Sequence, residues 1–521
     1  MSDKEKKTLL DYLERTAAAV PDKTMFVDER ESVAFGDFAK RARGLGRALR
    51  AYLNRSDEGR TGGVAVVVDK SVRTPLAYAA ILYTGSFYLP VDVDLPLARK
   101  RQLLDIAGAP LLLIAAAAQD AGELDFGGAM ITYEELENSI PEADESDEPT
   151  TGAGSREAGA PALTEDDPLC VIFTSGSTGV PKGVTLSHAA AVRYLTEFAS
   201  VVGLNADDRL AGQSPPDYVA ALRDIYFPFI LGVCTCFVPK RLFSLPAELF
   251  GYLNEHRVTA LFWVAPILSY CAELRVFDTA KLTTVDKVVF TGSVLPSAHL
   301  RYWQDRLPNA LFINHYGPTE ATATVSYYRA DRPVDPDEPL PIGIPLSYVG
   351  VELMDEDGRP AKRGETAEIC VRGGGLAIGY WRDPALTERS FPTLTANDGR
   401  SERYFRTGDL GSLLPDGNLA FRGRKDSQIK LMGHRIELAE IEAAANRVPG
   451  VGQAICVYEP ERKLLALFYT GAAENRDMAK RLREILPDFM IPRRFCKLDA
   501  IPRLPGGKPD AQRLRELAKR A

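Results

Sequence analysis

A chain of 521 residues exceeds what one hydrophobic core usually serves, so two or more domains are expected. With 45% hydrophobic and 26% charged residues, it has the make-up of an ordinary soluble globular protein. Its 63 basic and 71 acidic residues give a net charge of -8, which argues against a nucleic-acid polyanion as main partner but leaves room for a local basic phosphate site.

The N-terminus, Met1-Ser-Asp-Lys-Glu-Lys-Lys, runs into an amphipathic helix pattern rather than an apolar signal core. Residues 30–135 alternate in texture: helical spacing over 38–53, a β-branched strand at 63–68, helical spacing again over 74–83. Such alternation predicts α/β layering with buried parallel strands. The longest apolar run, 111–118, is far too short to span a bilayer, and a cytoplasmic location is expected. Residues 141–167 are dominated by Asp, Glu, Ser, Gly, Thr and Pro and read as a surface loop or linker. A strand at 169–173 then feeds a glycine-rich turn. Alternation resumes over 190–330, with strands near 260–264, 287–290 and 311–314, and gives way over 340–425 to short strands and turns. A small unit of about 95 residues follows Asp426. The seven cysteines (Cys170, Cys234, Cys236, Cys271, Cys370, Cys456, Cys496) form no C-x-x-C pair, and their odd number suits reduced thiols.

Two segments carry chemistry. Thr174-Ser-Gly-Ser-Thr-Gly-Val-Pro-Lys-Gly183 combines three glycines with four hydroxyl residues, a composition able to aim N–H groups and hydroxyls at phosphate oxygens. Lys182 adds a point charge; the spacing is not that of a Walker A loop. In Ile313-Asn-His-Tyr-Gly-Pro-Thr-Glu320 an apolar strand ends at a turn presenting an aromatic ring, a hydroxyl and a carboxylate. Tyr316 suits stacking on a purine and Glu320 suits oxygen ligation of magnesium. Each alone is also compatible with a plain polar turn.

Together with Tyr404-Phe-Arg-Thr-Gly-Asp-Leu410, Gly423-Arg-Lys-Asp-Ser-Gln-Ile-Lys430, Gly433-His-Arg-Ile-Glu437 and Pro505-Gly-Gly-Lys-Pro-Asp510, these segments stand in an order that resembles the adenylate-forming enzymes. That superfamily holds nonribosomal-peptide adenylation domains, acyl-CoA synthetases and luciferases. The resemblance implies an α/β fold: a large core, 1–425, of layered α/β subdomains plus a β-rich subdomain, and a small mobile α+β lid, 426–521, hinged at Asp426. It implies ATP and Mg2+ as cofactors. Thr174, Ser175, Gly176, Ser177, Thr178, Gly179 and Lys182 would form the phosphate loop, and Gly292 and Tyr316 would sandwich the adenine. Asp409 would accept from the ribose hydroxyls, with Arg424 nearby. Thr319 would touch the α-phosphate, Glu320 would hold the metal, and Lys508 would bridge carboxylate and phosphate. A carboxylate is already a nucleophile, so the obstacle is repulsion between two anions, which cations aimed at the developing charge relieve.

Amino-acid-activating members place an Asp in a Phe-Asp-x-Ser stretch. Here the region reads Ser214-Pro-Pro-Asp-Tyr-Val-Ala-Ala-Leu-Arg-Asp-Ile-Tyr-Phe-Pro-Phe229, with Val219 in the usual slot and Asp217 two residues earlier. A displaced carboxylate suits an amino group on the β-carbon, so a β-amino acid with an apolar side chain is favoured. The alternatives are an α-amino acid, or an aryl or acyl acid joined to coenzyme A. The pocket walls implied by position are Trp263, Val289, Thr291, His315, Ala323 and Thr324, with Trp263 equally readable as core. Arg223 either meets a second substrate carboxylate or points to solvent. The expected thiol acceptor is a discrete carrier protein, with no nucleic acid and no membrane as partner.

Overall fold

The computed structural model describes residues 7–53, 62–118, 120–140, 163–176, 179–362, 364–395, 399–504 and 509–520. Alternating segments before residue 330 build two sheets. A nine-stranded sheet runs in the order Ile344–Pro345, Ser326–Arg329, Leu311–Tyr316, Lys287–Thr291, Ala260–Val264, Arg209–Gly212, Cys234–Phe237, Thr24–Val27, Ser32–Ala34. Its central strands pair in parallel, Val289 opposite Ile313 and Phe262 opposite Val289. A seven-stranded sheet is centred on the parallel strands Tyr88–Asp92, Val64–Val68 and Leu111–Ile114. Both faces of these strands are covered; Val64 to Val68 are all fully buried, which is why they read as unbroken apolar runs rather than alternating ones.

One continuous core fills the space between the two sheets. The helices Phe35–Leu53, Arg73–Tyr83, His188–Val202 and Ala221–Leu231 contribute Phe38, Leu45, Tyr78, Tyr194, Phe198 and Phe229 to it. A second core, including Trp263 and Trp303, lies on the other face of the nine-stranded sheet. The β-rich stretch forms a five-stranded sheet from Val349–Met354, Ala367–Gly373, Ser401–Leu413, Thr393–Thr395 and Leu419–Arg424. Beyond it come the hairpin Gln428–Leu431/His434–Glu437 and a three-stranded sheet with its own core around Ile441, Leu467 and Met478. The architecture is therefore the expected mixed α/β one, with a large N-terminal and a small C-terminal part. Asp426 falls between strand Leu419–Arg424 and the hairpin.

Of the loop expected over 141–167, only 163–167 falls within the described residues, where the Thr164 amide donates to Asp167 at 2.6 Å. Among the described residues, no helix is long and apolar enough to cross a membrane.

Candidate active site

Strand Pro168–Thr174 delivers the glycine turn to the end of the seven-stranded sheet, and antiparallel strand Lys182–Ser187 takes the chain back, with Thr174 opposite Lys182. Lys182 thereby returns to the mouth of the turn that precedes it by eight positions. From the other sheet, strand Leu311–Tyr316 ends at the turn Thr319–Ala321, which carries Glu320. Chain continuation past Glu320 requires two successive left-handed residues, Thr322 at φ 53° and Ala323 at φ 70°. Backbone strain of this kind, of order 1 kcal/mol or more per residue, persists where surroundings over-determine it. Here Thr322 donates its hydroxyl to Gly375 O at 2.7 Å.

Glu320 is fully buried and ringed by donors. Lys182 Nζ lies 3.1 Å from Oε1, Tyr380 Oη donates to the same oxygen at 2.8 Å, and Arg435 Nη1 reaches Oε2 at 2.8 Å. Burial works against its charge, but Arg435 and then Lys182 more than offset it and hold the carboxyl well below the usual range. Burial in turn lowers the pKa of Lys182, with Glu320 resisting. A single dry carboxylate beside a lysine fits magnesium, which takes one or two carboxylates plus phosphate oxygens. Among the described residues, no group of three or more metal-binding side chains exists that would instead form an all-protein cage.

Across the mouth, Tyr316 donates its hydroxyl to Asp409 Oδ2 at 2.6 Å, and Arg424 pairs with Asp409 Oδ1. Arg424 also grips both oxygens of Asp426 at 2.7 Å. Lys430 Nζ sits 5.4 Å above the Tyr316 ring, and burial lowers its pKa. Gly292, against Val264 and Gly433, stands at φ 87°, a conformation that a side chain would strain.

The structure therefore brings Lys182 to Glu320, and Tyr316 and Arg424 to Asp409, while Gly292 lies against the Gly433 turn. Thr174, Ser175, Gly176 and Gly179 edge the same mouth, with Ser175 Oγ donating to Arg435 O at 2.9 Å; Thr319 is half-buried at the start of its turn. Ser177, Thr178 and Lys508 lie outside the described residues. Thr291 donates to His315 O at 2.8 Å, and His315 Nδ1 is 3.0 Å from Thr324 Oγ1, so three of the expected pocket walls form one cluster. Val289 is fully buried in the first core, and Ala323 borders it. Trp263 belongs to the second core, 5.8 Å from the Phe243 ring, with its indole N–H unpartnered. Arg223 does not point to solvent: it is 1% exposed, with Nη1 2.8 Å from His315 Nε2. Asp217 Oδ1 is buried without a partner, and burial followed by Asp92 raises its pKa well above the carboxylate range.

Sequence reasoning missed Arg435, Tyr380, Lys430 and Asp92. The first and third stand inside quoted motif segments, where a cation in a turn near a phosphate loop was the available signal. Asp92 closes the segment Leu82-Tyr-Thr-Gly-Ser-Phe-Tyr-Leu-Pro-Val-Asp92, which also resembles the adenylate-forming enzymes, whereas Tyr380 gave no signal, since only packing aims it at Glu320.

Two buried carboxylates, Glu320 and Asp409, are each met by basic side chains within a chain of mixed α/β architecture. Residues 13–381 match the AMP-binding enzyme family, and the protein belongs to it. It is 30% identical over 520 residues to the D-alanine--D-alanyl carrier protein ligase of Bacillus cytotoxicus, covering 97% of this chain and 98% of that one. It is 29% identical to surfactin synthase subunit 1 of Bacillus subtilis over 98% of its own length, but spans only 14% of that protein. The fold is shared with an artificially fused adenylation-PCP di-domain from Klebsiella oxytoca at TM-score 0.82 and 23% identity, covering 96% of this chain and 95% of that one.

Proposed function

We propose that the enzyme activates an amino acid, a β-amino acid being favoured, as its acyl-AMP and passes it to the thiol of a separate carrier protein. In the first half-reaction a substrate carboxylate oxygen attacks the α-phosphorus of ATP and pyrophosphate leaves. In the second, a phosphopantetheine sulfur attacks the acyl carbon and AMP leaves. The observation that carries this reading is the cation cluster on Glu320: Lys182 and Arg435 converge where two anions must meet. Magnesium held by Glu320 would neutralise phosphate charge, while the protein's own groups position and screen. Asp409 and Arg424 would orient the ribose, Tyr316 and Gly292 the adenine, Thr319 the α-phosphate and Lys508 the reacting carboxylate. Asp426 would be the hinge between 1–425 and 426–521, and the cytoplasm the site of action.

For the amine, the support is Asp217, whose buried Oδ1 has no partner and which an ammonium would satisfy. ATP–pyrophosphate exchange against α-amino, β-amino and plain acids tests the reading. Exchange with β-amino acids above all others is expected; exchange with plain acids and no amine would overturn it. Lys508→Ala should abolish exchange, and turnover surviving that change would remove the lysine from its role.

A further inference from the structure

Within the expected acid pocket, Arg223 is buried with no carboxylate in ion-pair contact. It sits in the first turn of helix Ala221–Leu231, 1% exposed, its guanidinium 5.3 Å from the Phe262 ring centroid. Its contacts are His315 Nε2 at 2.8 Å and Ala220 O at 3.3 Å. Burial, and then the charges of Arg223 and Lys430, hold His315 neutral, so neither contact carries negative charge. The adjacent Asp224 feels the charge of Arg223 but makes no hydrogen bond to it: Oδ2 accepts from the Ser214 amide at 3.0 Å and Oδ1 is buried without a partner. Among the described residues, no carboxylate comes within ion-pair distance of Arg223, and the charge that reaches it is that of Asp224. A guanidinium is not deprotonated in proteins, and a buried one is retained where something answers its charge. Six positions earlier, Asp217 presents the opposite orphan, a buried carboxylate oxygen with no partner.

One short stretch thus offers a carboxylate oxygen without a partner and a guanidinium without an ion-pair contact. We infer that the substrate is an amino dicarboxylic acid, its ammonium meeting Asp217 and its second carboxylate meeting Arg223. This deepens the amino-acid reading above and rests on it. It replaces the apolar side chain suggested by the sequence, because that reading had no way to see that Arg223 faces inward.

Pyrophosphate exchange on the full chain decides it. The panel pairs each amino diacid with its monoacid counterpart and with the amine-free diacid. Wild type should favour the amino diacid in kcat/KM, and Arg223→Gln and Arg223→Leu should each cut the diacid-to-monoacid ratio by about 100-fold, the cost of removing one partner of a buried charge pair. A merely structural arginine would lower both substrates together and leave the ratio unmoved, which would overturn the inference. A wild-type preference for monoacids overturns it without any variant. Preference for the amine-free diacid would sink the amino-acid reading but uphold Arg223 as the second carboxylate's partner.

Discussion

On the proposed reading Glu320 holds magnesium, yet here its two oxygens are taken by Lys182, Tyr380 and Arg435. That reading requires nucleotide and metal to exchange for these contacts, and the cations that release the carboxylate would then face phosphate. Glu320→Gln removes the anion and leaves two buried cations opposed. Breaking a buried pair costs about 3–5 kcal/mol, and the low end, about 3, is expected because Lys182 and Arg435 each keep 18% side-chain exposure. A fall in Tm together with a loss of exchange of about 100-fold or more is expected; an unchanged Tm would mean the ring of donors adds nothing to stability. Asp217 yields a pH prediction. Its carboxyl titrates well above the ordinary range in the free enzyme, pushed up by burial and then Asp92, and an ammonium binds only the ionised form. The KM for the amine substrate should therefore fall as pH rises through that elevated range, and Asp217→Asn should flatten the profile while raising KM. A KM that rises with pH in wild type would exclude Asp217 as the ammonium partner.

At the scale of elements, the hairpin Gln428–Leu431/His434–Glu437 decides what the small C-terminal part presents to the site. Its turn enters beside Gly292: the Gly433 Cα lies 3.5 Å from where a Cβ on Gly292 would stand. Gly433 itself is at φ 85°, and a Cβ there would come within 2.7 Å of Val264 Cγ1. Behind the turn, His434 stacks on Phe489 at 3.9 Å and pairs with Tyr218, fixing the approach of Arg435 to Glu320. Gly433→Ala should hinder this docking by strain and by steric contact, at a cost of about 1–2 kcal/mol. If docking serves the thiol-transfer step, transfer to a carrier thiol should slow about tenfold while pyrophosphate exchange changes less. Equal slowing of both would detach the hairpin from that step.

Taken whole, the two parts of the molecule meet through buried charge as well as through the hairpin. Arg99 Nη1 lies 2.6 Å from Glu440 Oε1, at 8% and 1% side-chain exposure, joining a helix of the seven-stranded sheet to helix Leu438–Asn446. Glu440 is still held above its ordinary pKa by burial, with Arg99 opposing that shift, so it depends on this one cation. Arg99→Ala should leave an uncompensated carboxylate and raise amide hydrogen exchange in Leu438–Asn446, with little change in the Val64–Val68 strand. Unaltered protection would show that the pair does not hold the parts together.

The order of layers, the β-rich stretch over 340–425 and the candidate residues Lys182, Tyr316, Glu320, Asp409 and Arg424, which meet in two contacting groups, could all be read from the sequence. Hydrophobic period and turn chemistry are local, and motif residues keep their spacing whatever surrounds them. What the sequence could not say is which way a side chain faces after three hundred residues have packed round it. Arg223 and Trp263 show this: both read as possible pocket residues, yet one ends against His315 and the other in the second core beside Phe243. The partners of Glu320 come from positions 182, 380 and 435, and only the closing of the two sheets and the docking of the hairpin bring them within hydrogen-bonding distance. Local pattern determined the elements and the chemical inventory; long-range packing decided the charges that meet, because an electrostatic contact depends on separation in space and not along the chain.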